Sequence, residues 1–329
     1  MGVEQSLQVE LAHRDQGASS AARIPERRVR AHGPRSAGGV SLTTGASDDG
    51  HMPWHLDNYT LDAFVAVAAH FHPDHYAYVV TPNVDHLIRL HEDVAFRGLY
   101  ANAGFVLLDS RFLAHLLRLV RGVTLPVCAG SDLVARLFAD VIRPDDPLVM
   151  IGGSAEQVRV LSARYGLRGL VHHDPPMGFI DDPAAVDACL RFIETHSPFR
   201  YCLLAIGSPQ QEIIARRLQE RGRACGLALC IGAAVQFLTG IQKRAPRWMQ
   251  RSGLEWAYRL TQEPARMAHR YLVRGPRVFS LLSRTDVVLR PARVSQSGAS
   301  MADIDAPHPR SAGQRLDRRR ANVRQPGDS

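Results

Sequence analysis

The chain has 329 residues, 45% of them hydrophobic, and a formal net charge of +8. This apolar fraction is ordinary for a globular protein and excludes a chain that is disordered throughout. The weakly polar stretch 226–241 is too short for a transmembrane helix and is interrupted by Gln236 and three glycines. The five cysteines are odd in number and form no CxxC pair. They therefore predict reduced core residues of a cytoplasmic protein, and neither a zinc site nor a disulfide framework.

Changes in composition divide the chain into four parts. Residues 1–50 are rich in Gly, Ser, Ala and Arg without periodicity, which predicts a disordered N-terminal tail. Residues 51–242 alternate between strand and helix patterns and form the expected α/β core. Residues 243–290 are expected to form a basic amphipathic helical appendage, and the polar, arginine-rich residues 291–329 a disordered C-terminal tail.

Short apolar or β-branched runs recur along the core, and a helical pattern follows each of them. The expected strands are 76–80, 105–108, 126–129, 148–151, 170–172, 201–206 and 224–231. Sustained alternation of strand and helix is typical of parallel strands with helices on both faces of the sheet. The sequence therefore predicts an α/β fold: a doubly wound, Rossmann-like, mostly parallel sheet with a C-terminal basic helical appendage.

Polar residues follow the first two of these strands. Thr81 and Asn83 come directly after the first run, and Asp109 ends the second. The carboxyl ends of parallel strands meet at one edge of the sheet, where open α/β sheets bind ligands. Asn and Asp are also the residue types that cap helices. From position alone, a ligand site and a set of helix caps are equally open interpretations.

Glycine loops join strand to helix at Gly130, at Gly152 and Gly153, and at Gly207. Such loops can present backbone N–H groups to phosphate, so three of them modestly favour a nucleotide ligand. The chain has neither a GxGxxG sequence after its first strand nor a P-loop sequence, which disfavours a dinucleotide oxidoreductase and a P-loop NTPase. His172–Asp174 is the one dense group of potential metal ligands, but adjacent strand residues point to opposite faces, so no metal site is predicted.

The appendage concentrates positive charge. Residues 243–277 contain nine Lys or Arg against two Glu, which indicates an anionic partner: nucleic acid, phosphate groups or an acidic membrane surface. Pro264 divides the segment into two expected helices. Arg259, Arg266 and Arg270 form a basic stripe beside an aromatic and apolar one, a pattern that suits packing on a domain or lying at a membrane surface.

Four elements carry a resemblance to a known family. They are VVTPNVDHL at 79–87, Asp109 after its strand, GSPQQE at 207–212 and RAPRWMQRSGLEWAYRLTQEPARMAHRYL at 244–272. Together they resemble the WecG/TagA/CpsF glycosyltransferases, glycosyltransferase family 26, over about residues 56–280. The resemblance implies a nucleotide-sugar donor, transfer with inversion to a polyprenyl-linked acceptor, and no cofactor or essential metal. It also implies an appendage that closes over the active site and touches lipid at the cytoplasmic membrane face.

The resemblance assigns roles to individual residues. Asp109 matches the family's proposed catalytic base, which removes the acceptor hydroxyl's proton. Thr81 and Asn83 match the polar residues beside it, and Gln211 matches the glutamine of the PxQE element; these would position donor or acceptor. Three arginines match basic positions of the family's appendage, namely Arg259, Arg266 and Arg270. Their guanidinium groups could bind the leaving diphosphate. A solvated basic face is the competing interpretation of these three arginines.

Two positions depart from the family pattern. Members often have Gly where this chain has Ser110, and Asp where it has Gln236. Ser110 leaves the neighbouring carboxylate in place, whereas Gln236 cannot act as an acid or a base. Both departures are expected to affect substrate choice.

The resemblance thus implies an inverting glycosyltransferase of cell-surface or extracellular polysaccharide synthesis. Its expected donor is a UDP-sugar and its expected acceptor a sugar on a polyprenyl diphosphate, at the inner face of the cytoplasmic membrane. Residues 243–277 would contact the anionic membrane surface. The alternative is a non-catalytic nucleotide- or RNA-binding α/β protein, which the lack of an RNP or KH motif disfavours.

Overall fold

A computed structural model describes residues 38–44 and 54–290, and within them two sheets. The strands are β1 (Gly39–Thr44), β2 (Trp54–Asp57), β3 (Tyr76–Val80), β4 (Phe105–Val106), β5 (Leu148–Ile151), β6 (Leu170–His173), β7 (Tyr201–Leu204), β8 (Gly226–Cys230) and β9 (Thr285–Arg290). The larger sheet has six parallel strands in the order β4-β3-β8-β7-β5-β6. The predicted α/β, mostly parallel architecture is confirmed.

Thirteen α-helices surround the sheets within the described residues. They are α1 (Leu61–Ala69), α2 (Val84–Glu92), α3 (Val94–Ala101), α4 (Arg111–Arg121), α5 (Gly130–Arg136), α6 (Ala155–Tyr165), α7 (Pro183–Thr195), α8 (Gln210–Arg221), α9 (Ala234–Leu238), α10 (Arg247–Arg251), α11 (Glu255–Gln262), α12 (Pro264–Ala268) and α13 (Arg277–Ser283). Short π-helical segments continue two of them, at Leu137–Val141 and His269–Arg274, and a 3₁₀ turn lies at Phe179–Asp181.

The apolar core lies in two layers, one on each face of the parallel sheet. Successive residues of a strand alternate between the layers: Tyr201 and Leu203 join one, Cys202 and Leu204 the other. Helices α2, α3, α4, α7, α8 and α13 contribute to the layer of Leu204, and α1, α5, α6 and α9 to the opposite layer. Burial on both faces explains why the central strands are apolar at every position.

One expected strand is absent from the parallel sheet. Residues 126–129 have no strand pairing among the described residues, so the sheet has six strands where the sequence predicts seven. Pro126 has no N–H group to donate, and the backbone contact with the sheet edge is a single hydrogen bond, from the Cys128 N–H to the Leu108 carbonyl at 2.9 Å. The segment is buried at Cys128 and Ala129 because it leads into α5, which explains its apolar character.

The second sheet is antiparallel, in the order β2-β1-β9, and the sequence patterns did not predict it. Strand β1 falls in the stretch predicted to be a disordered tail, and β9 in the appendage predicted to be helical throughout. Val40 and Leu42 alternate toward the core while Ser41 between them is more exposed, which is a short strand pattern. The remaining positions predicted as disordered tails, 1–37 and 291–329, lie outside the described residues, as do 45–53.

The appendage packs on α2 and α4. Val278 and Leu282 of α13 are fully buried in the layer that these helices share. Arg274 lies 3.7 Å from Asp85 and 3.3 Å from Glu92, so ion pairs join the appendage to α2. Helix α11 ends at Gln262 and α12 begins at Pro264, the division that the proline predicts, although α10, α13 and β9 make the segment more divided than two helices.

Candidate active site

A cavity of about 270 Å³ lies between the carboxyl edge of the parallel sheet and the appendage. Its polar lining includes Asn83, Asp109, Ser110, Arg111, Glu255 and Arg259. Its aromatic lining consists of Phe112, Trp256, Tyr271 and Phe279. Residues from the ends of β3 and β4 thus meet residues of α11 and of the segment after α12, and the appendage forms one wall of the cavity.

Asp109 lies at the sheet edge of this cavity. Its Oδ1 accepts a 2.8 Å hydrogen bond from the Gly130 N–H. Burial raises the pKa of Asp109 above the ordinary 3.8, and the nearby carboxylates of Glu255 and Asp132 raise it further. The Gly130 hydrogen bond and the positive charge of Arg259 oppose this increase. A carboxylate with a raised pKa is a stronger base than one in water, so Asp109 in this environment is suited to removing a proton.

Thr81 and Gly130 lie together beside Asp109. A Cβ atom at Gly130 would lie 3.0 Å from the Thr81 hydroxyl oxygen, so glycine lets the two loops approach closely. Thr81 itself is half-buried and is not among the residues that line the cavity. The structure therefore brings Thr81 next to the backbone that holds Asp109.

Asn83 caps a helix and also lines the cavity. Its Oδ1 accepts hydrogen bonds from the N–H groups of Asp85 at 3.0 Å and His86 at 3.4 Å, while its own N–H donates to His86 Nδ1. This capping box fixes the start of α2. Ser110 does the same for α4, accepting from the Leu113 N–H at 3.2 Å. The capping interpretation holds for Asn83, and its position at the cavity leaves room for a second role.

Gln211 lies outside the cavity. It is buried, its Oε1 accepts from the Gly232 N–H at 2.8 Å, and its Nε2 donates to Glu212 Oε1 at 3.0 Å. Gln211 therefore joins the loop after β7 to the loop after β8. Burial is the main cause that raises the pKa of Glu212.

Of the three arginines predicted to bind diphosphate, Arg259 lines the cavity. Its guanidinium also lies 5.4 Å from the centroid of the Phe237 ring, a cation–π contact that orients it. Arg266 lies on α12 and Arg270 on the π-helical segment after it. The side chains of Arg266 and Arg270 are not among those that the structure describes, so their predicted contact with diphosphate stays a prediction.

The glycine loops do not line the cavity. Gly130 donates its N–H to Asp109, and Gly152 donates its N–H to the His173 carbonyl at 2.8 Å. Gly153 has a φ of +80°, and its Cβ would collide with Met150 and Gln157. Gly207 has a φ of +79° with open space around its Cα. Close packing and backbone conformation therefore account for glycine at Gly130 and Gly153, whatever the loops bind.

The two histidines of the pair have separate contacts. His172 Nε2 lies 3.1 Å from the Gly153 carbonyl oxygen, and His173 stacks on Phe192 with ring centroids 5.2 Å apart. Across residues 38–44 and 54–290, no group of three or more His, Cys, Asp or Glu side chains has an arrangement that could hold a metal ion.

Sequence reasoning missed several residues of the cavity. Arg111 and Phe112 follow Asp109 at the start of α4, and Glu255 and Trp256 begin α11. The Trp256 ring packs edge to face against Phe112 at 6.4 Å and Tyr271 at 6.0 Å, and its Nε1 is buried with no hydrogen-bond partner in the part of the chain that the structure describes. The available signal was proximity in the sequence: two of these residues come two and three positions after the expected base, and two lie in the longest matching motif.

The fold and the cavity define an α/β protein with a cavity where its parallel strands end, beside a carboxylate, which is where such folds bind ligands. Residues 52–291 match the glycosyl transferase WecG/TagA/CpsF family, and the chain belongs to this family. The resemblance seen in the sequence is confirmed. The protein is a glycosyltransferase of cell-surface polysaccharide synthesis, and such enzymes in general use a nucleotide-sugar donor and a lipid-linked acceptor. No helix in the described part of the chain has the length and apolarity needed to cross a bilayer.

Proposed function

We propose that this glycosyltransferase moves a hexose or N-acetylhexosamine-type sugar from a UDP-sugar to a sugar on a polyprenyl diphosphate, with inversion. Asp109 carries the proposal, because it is a carboxylate with a raised pKa that lines the cavity at the carboxyl edge of the sheet. The acceptor hydroxyl oxygen attacks the anomeric carbon and forms the new C–O bond. The bond from that carbon to the nucleoside diphosphate breaks, and the diphosphate leaves with the electron pair. Asp109 takes the hydroxyl proton.

Charge in the cavity supports departure of the diphosphate. Arg259 lines the cavity, and Arg266 and Arg270 follow it in the same basic appendage. Guanidinium groups neutralise phosphate oxygens and bind them through paired N–H groups, so the reaction proceeds without an essential metal. Asn83 positions donor or acceptor beside Asp109, and Thr81 supports the loop whose Gly130 N–H holds the Asp109 carboxylate. Gln211 contributes by fixing the loops after β7 and β8.

The appendage also supplies the membrane contact in this proposal. Trp248, Leu272 and Val273 are exposed apolar side chains, between 58% and 64% accessible, within a strongly basic segment. Apolar side chains can enter the headgroup region while arginines meet anionic lipid. The enzyme would then work at the inner face of the cytoplasmic membrane, where a polyprenyl-linked acceptor is presented, in exopolysaccharide synthesis.

A transfer assay tests the proposed function. Purified protein is incubated with a panel of radiolabelled UDP-sugars and a synthetic lipid-diphosphate-sugar acceptor, with the Asp109→Asn variant as control. We expect one donor to label the acceptor, with the opposite anomeric configuration, with or without excess EDTA. Activity that needs added Mg²⁺ would contradict the metal-independent mechanism. Binding of nucleotide or RNA without transfer to any acceptor would favour the non-catalytic alternative.

A further inference from the structure

Four charged side chains form a closed ring of ion pairs at the edge of the cavity. Arg111 Nη2 lies 3.3 Å from Asp132 Oδ2, and Asp132 Oδ1 lies 2.5 Å from Arg244 Nη1. Arg244 Nη2 lies 3.5 Å from Glu255 Oε1, and Glu255 Oε2 lies 4.0 Å from Arg111 Nη1. Arg111 and Asp132 belong to α4 and α5, whereas Arg244 and Glu255 belong to the appendage. The ring therefore joins the core to the appendage beside Asp109.

The two arginines of this ring differ in what they offer a ligand. Arg244 contacts an acidic group with each terminal nitrogen, stacks on Phe237 at 5.9 Å and does not line the cavity. Arg111 lines the cavity, and its Nη1 is buried without a hydrogen-bond partner among the described residues. Its Nη1 contact with Glu255 is the longest in the ring. Arg111 thus lies at the cavity and has an N–H group that donates no hydrogen bond to any described residue.

Asp132 fixes the orientation of Arg111 while leaving Nη1 unused. The Asp132 carboxylate accepts from Nη2 on one side of the guanidinium, and its other oxygen is occupied by Arg244. A guanidinium held in this way has a preset direction for its remaining donors, so less conformational entropy is lost when it binds an anion. Arg111 is two residues from Asp109, and both side chains line one cavity.

We propose that Arg111 is a diphosphate-binding residue, which exchanges its long contact with Glu255 for phosphate oxygens of the substrate. The inference rests on the proposed function and adds to it a cation supplied by the core, distinct from the arginines of the appendage. Two substrates carry the required group: the nucleoside diphosphate of the donor and the polyprenyl diphosphate of the acceptor. In either case a fixed guanidinium recognises a pair of phosphate oxygens better than a single ammonium does.

Isothermal titration calorimetry with UDP and with geranyl diphosphate tests this assignment. The variants are Arg111→Gln, Arg111→Lys and Glu255→Gln, each checked by circular dichroism. Arg118→Gln is the matched control, because Arg118 is an exposed arginine on the same helix. We expect Arg111→Gln to weaken binding of one diphosphate by ~10- to 100-fold, the usual range for a lost charge-assisted hydrogen bond. Arg111→Lys, which keeps the charge, should lose less, and Arg118→Gln should bind as the wild type does.

The pattern of loss identifies the source of the diphosphate. A loss with UDP alone assigns Arg111 to the donor, and a loss with geranyl diphosphate alone assigns it to the acceptor. Glu255→Gln should bind the same ligand as tightly as the wild type or more tightly, because it removes the competing carboxylate. Equal binding by folded Arg111→Gln and wild type would overturn the inference while leaving the proposed function intact. Wild-type protein that binds neither diphosphate would overturn both.

Discussion

At the scale of single residues, the carboxyl group of Asp109 is under two opposing influences. Burial raises its pKa, whereas the hydrogen bond from Gly130 and the charge of Arg259 lower it, and the net direction is upward. The same burial that makes the carboxylate a better base makes its charged form costly in the folded protein. Burial of Asp109 therefore favours catalysis and at the same time lowers the stability of the folded protein.

We expect Asp109→Asn to lower the rate of transfer by ~10²- to 10⁴-fold, the usual contribution of a general base. The variant should be at least as stable as wild type at neutral pH, because asparagine keeps an oxygen for the Gly130 N–H and carries no buried charge. Because the folded-state pKa is raised, wild type loses stability relative to the variant as pH rises through that pKa. Urea unfolding of both proteins from acidic to neutral pH measures this difference.

The same raised pKa sets the pH dependence of the reaction. The base must be ionised, so wild-type kcat/KM should fall on acidification with a midpoint above the ordinary 3.8 of aspartate. A midpoint at or below that value, or a variant with more than about a tenth of wild-type turnover, would show that Asp109 is not the base.

Ser110 gives a second residue-scale prediction. Its Oγ accepts from the Leu113 N–H and caps α4, at a position where family members often have glycine. We expect Ser110→Ala to lower the free energy of unfolding by ~0.5–2 kcal/mol and Ser110→Gly by only a few tenths, since glycine is itself a tolerable cap. Urea unfolding measures both. Equal losses in the two variants would show that the hydroxyl does not cap the helix, and a large loss of transfer with normal stability would assign Ser110 to the substrate.

At the scale of elements, the fold was predictable where the pattern was long and local. The parallel strands are short, mostly apolar runs before helices, and this signal predicted all six of them together with one strand that is absent. The segment at 126–129 has the same composition for another reason, namely burial ahead of α5, and local pattern does not separate the two causes. Strands β1 and β9 pair across more than two hundred residues, so neither has a local signal for its partner.

The antiparallel sheet yields a test at Leu42. This side chain has no exposed surface and joins the core layer of Leu204, although it lies in a stretch predicted to be disordered. We expect Leu42→Ala to lower the free energy of unfolding by ~2–5 kcal/mol, as for other buried leucines. Ser41→Ala, on the more exposed face of the same strand, should change it by less than about 0.5 kcal/mol. Equal, small effects of the two substitutions in urea unfolding would mean that β1 is not part of the folded core.

The candidate site was predictable to a different extent from the fold. Asp109 and Asn83 share a cavity because parallel strands end at one edge of the sheet. The order of strands and helices along the chain is enough to predict this. Gln211 comes from the same kind of loop, yet its amide is used between two loops. The ring of Arg111, Asp132, Arg244 and Glu255 depends on how the appendage packs on the core, and this is a tertiary contact that no single segment encodes.

At the scale of the whole molecule, the appendage is at once a wall of the cavity and part of the core. Val278, Leu282 and β9 lie in the folded body, so deletion of residues 243–329 would remove core side chains and a strand. Loss of activity on such a deletion would report unfolding as readily as loss of membrane contact. Surface substitutions that leave the cavity and core in place separate the two.

We therefore expect the triple variant Trp248→Ser, Leu272→Ser and Val273→Ser to bind anionic lipid vesicles ~10-fold or more weakly, because exposed apolar side chains contribute by entering the interface. None of the three lines the cavity. Transfer to a short, water-soluble acceptor should stay close to wild type, while transfer to a lipid-linked acceptor in vesicles should fall. Vesicle sedimentation and parallel assays with the two acceptors measure these effects.

A second triple variant, Val94→Ser, Leu119→Ser and Met177→Ser, provides the control. These side chains are 73%, 83% and 103% exposed, but they lie outside the appendage. If any exposed apolar group contributed to vesicle binding, both variants would lose it equally, and the appendage would have no special role. If the control variant still binds vesicles and the appendage variant does not, the lipid contact is made by the appendage, which also forms a wall of the cavity. The surface that meets lipid would then be continuous with the cavity that receives the acceptor's sugar.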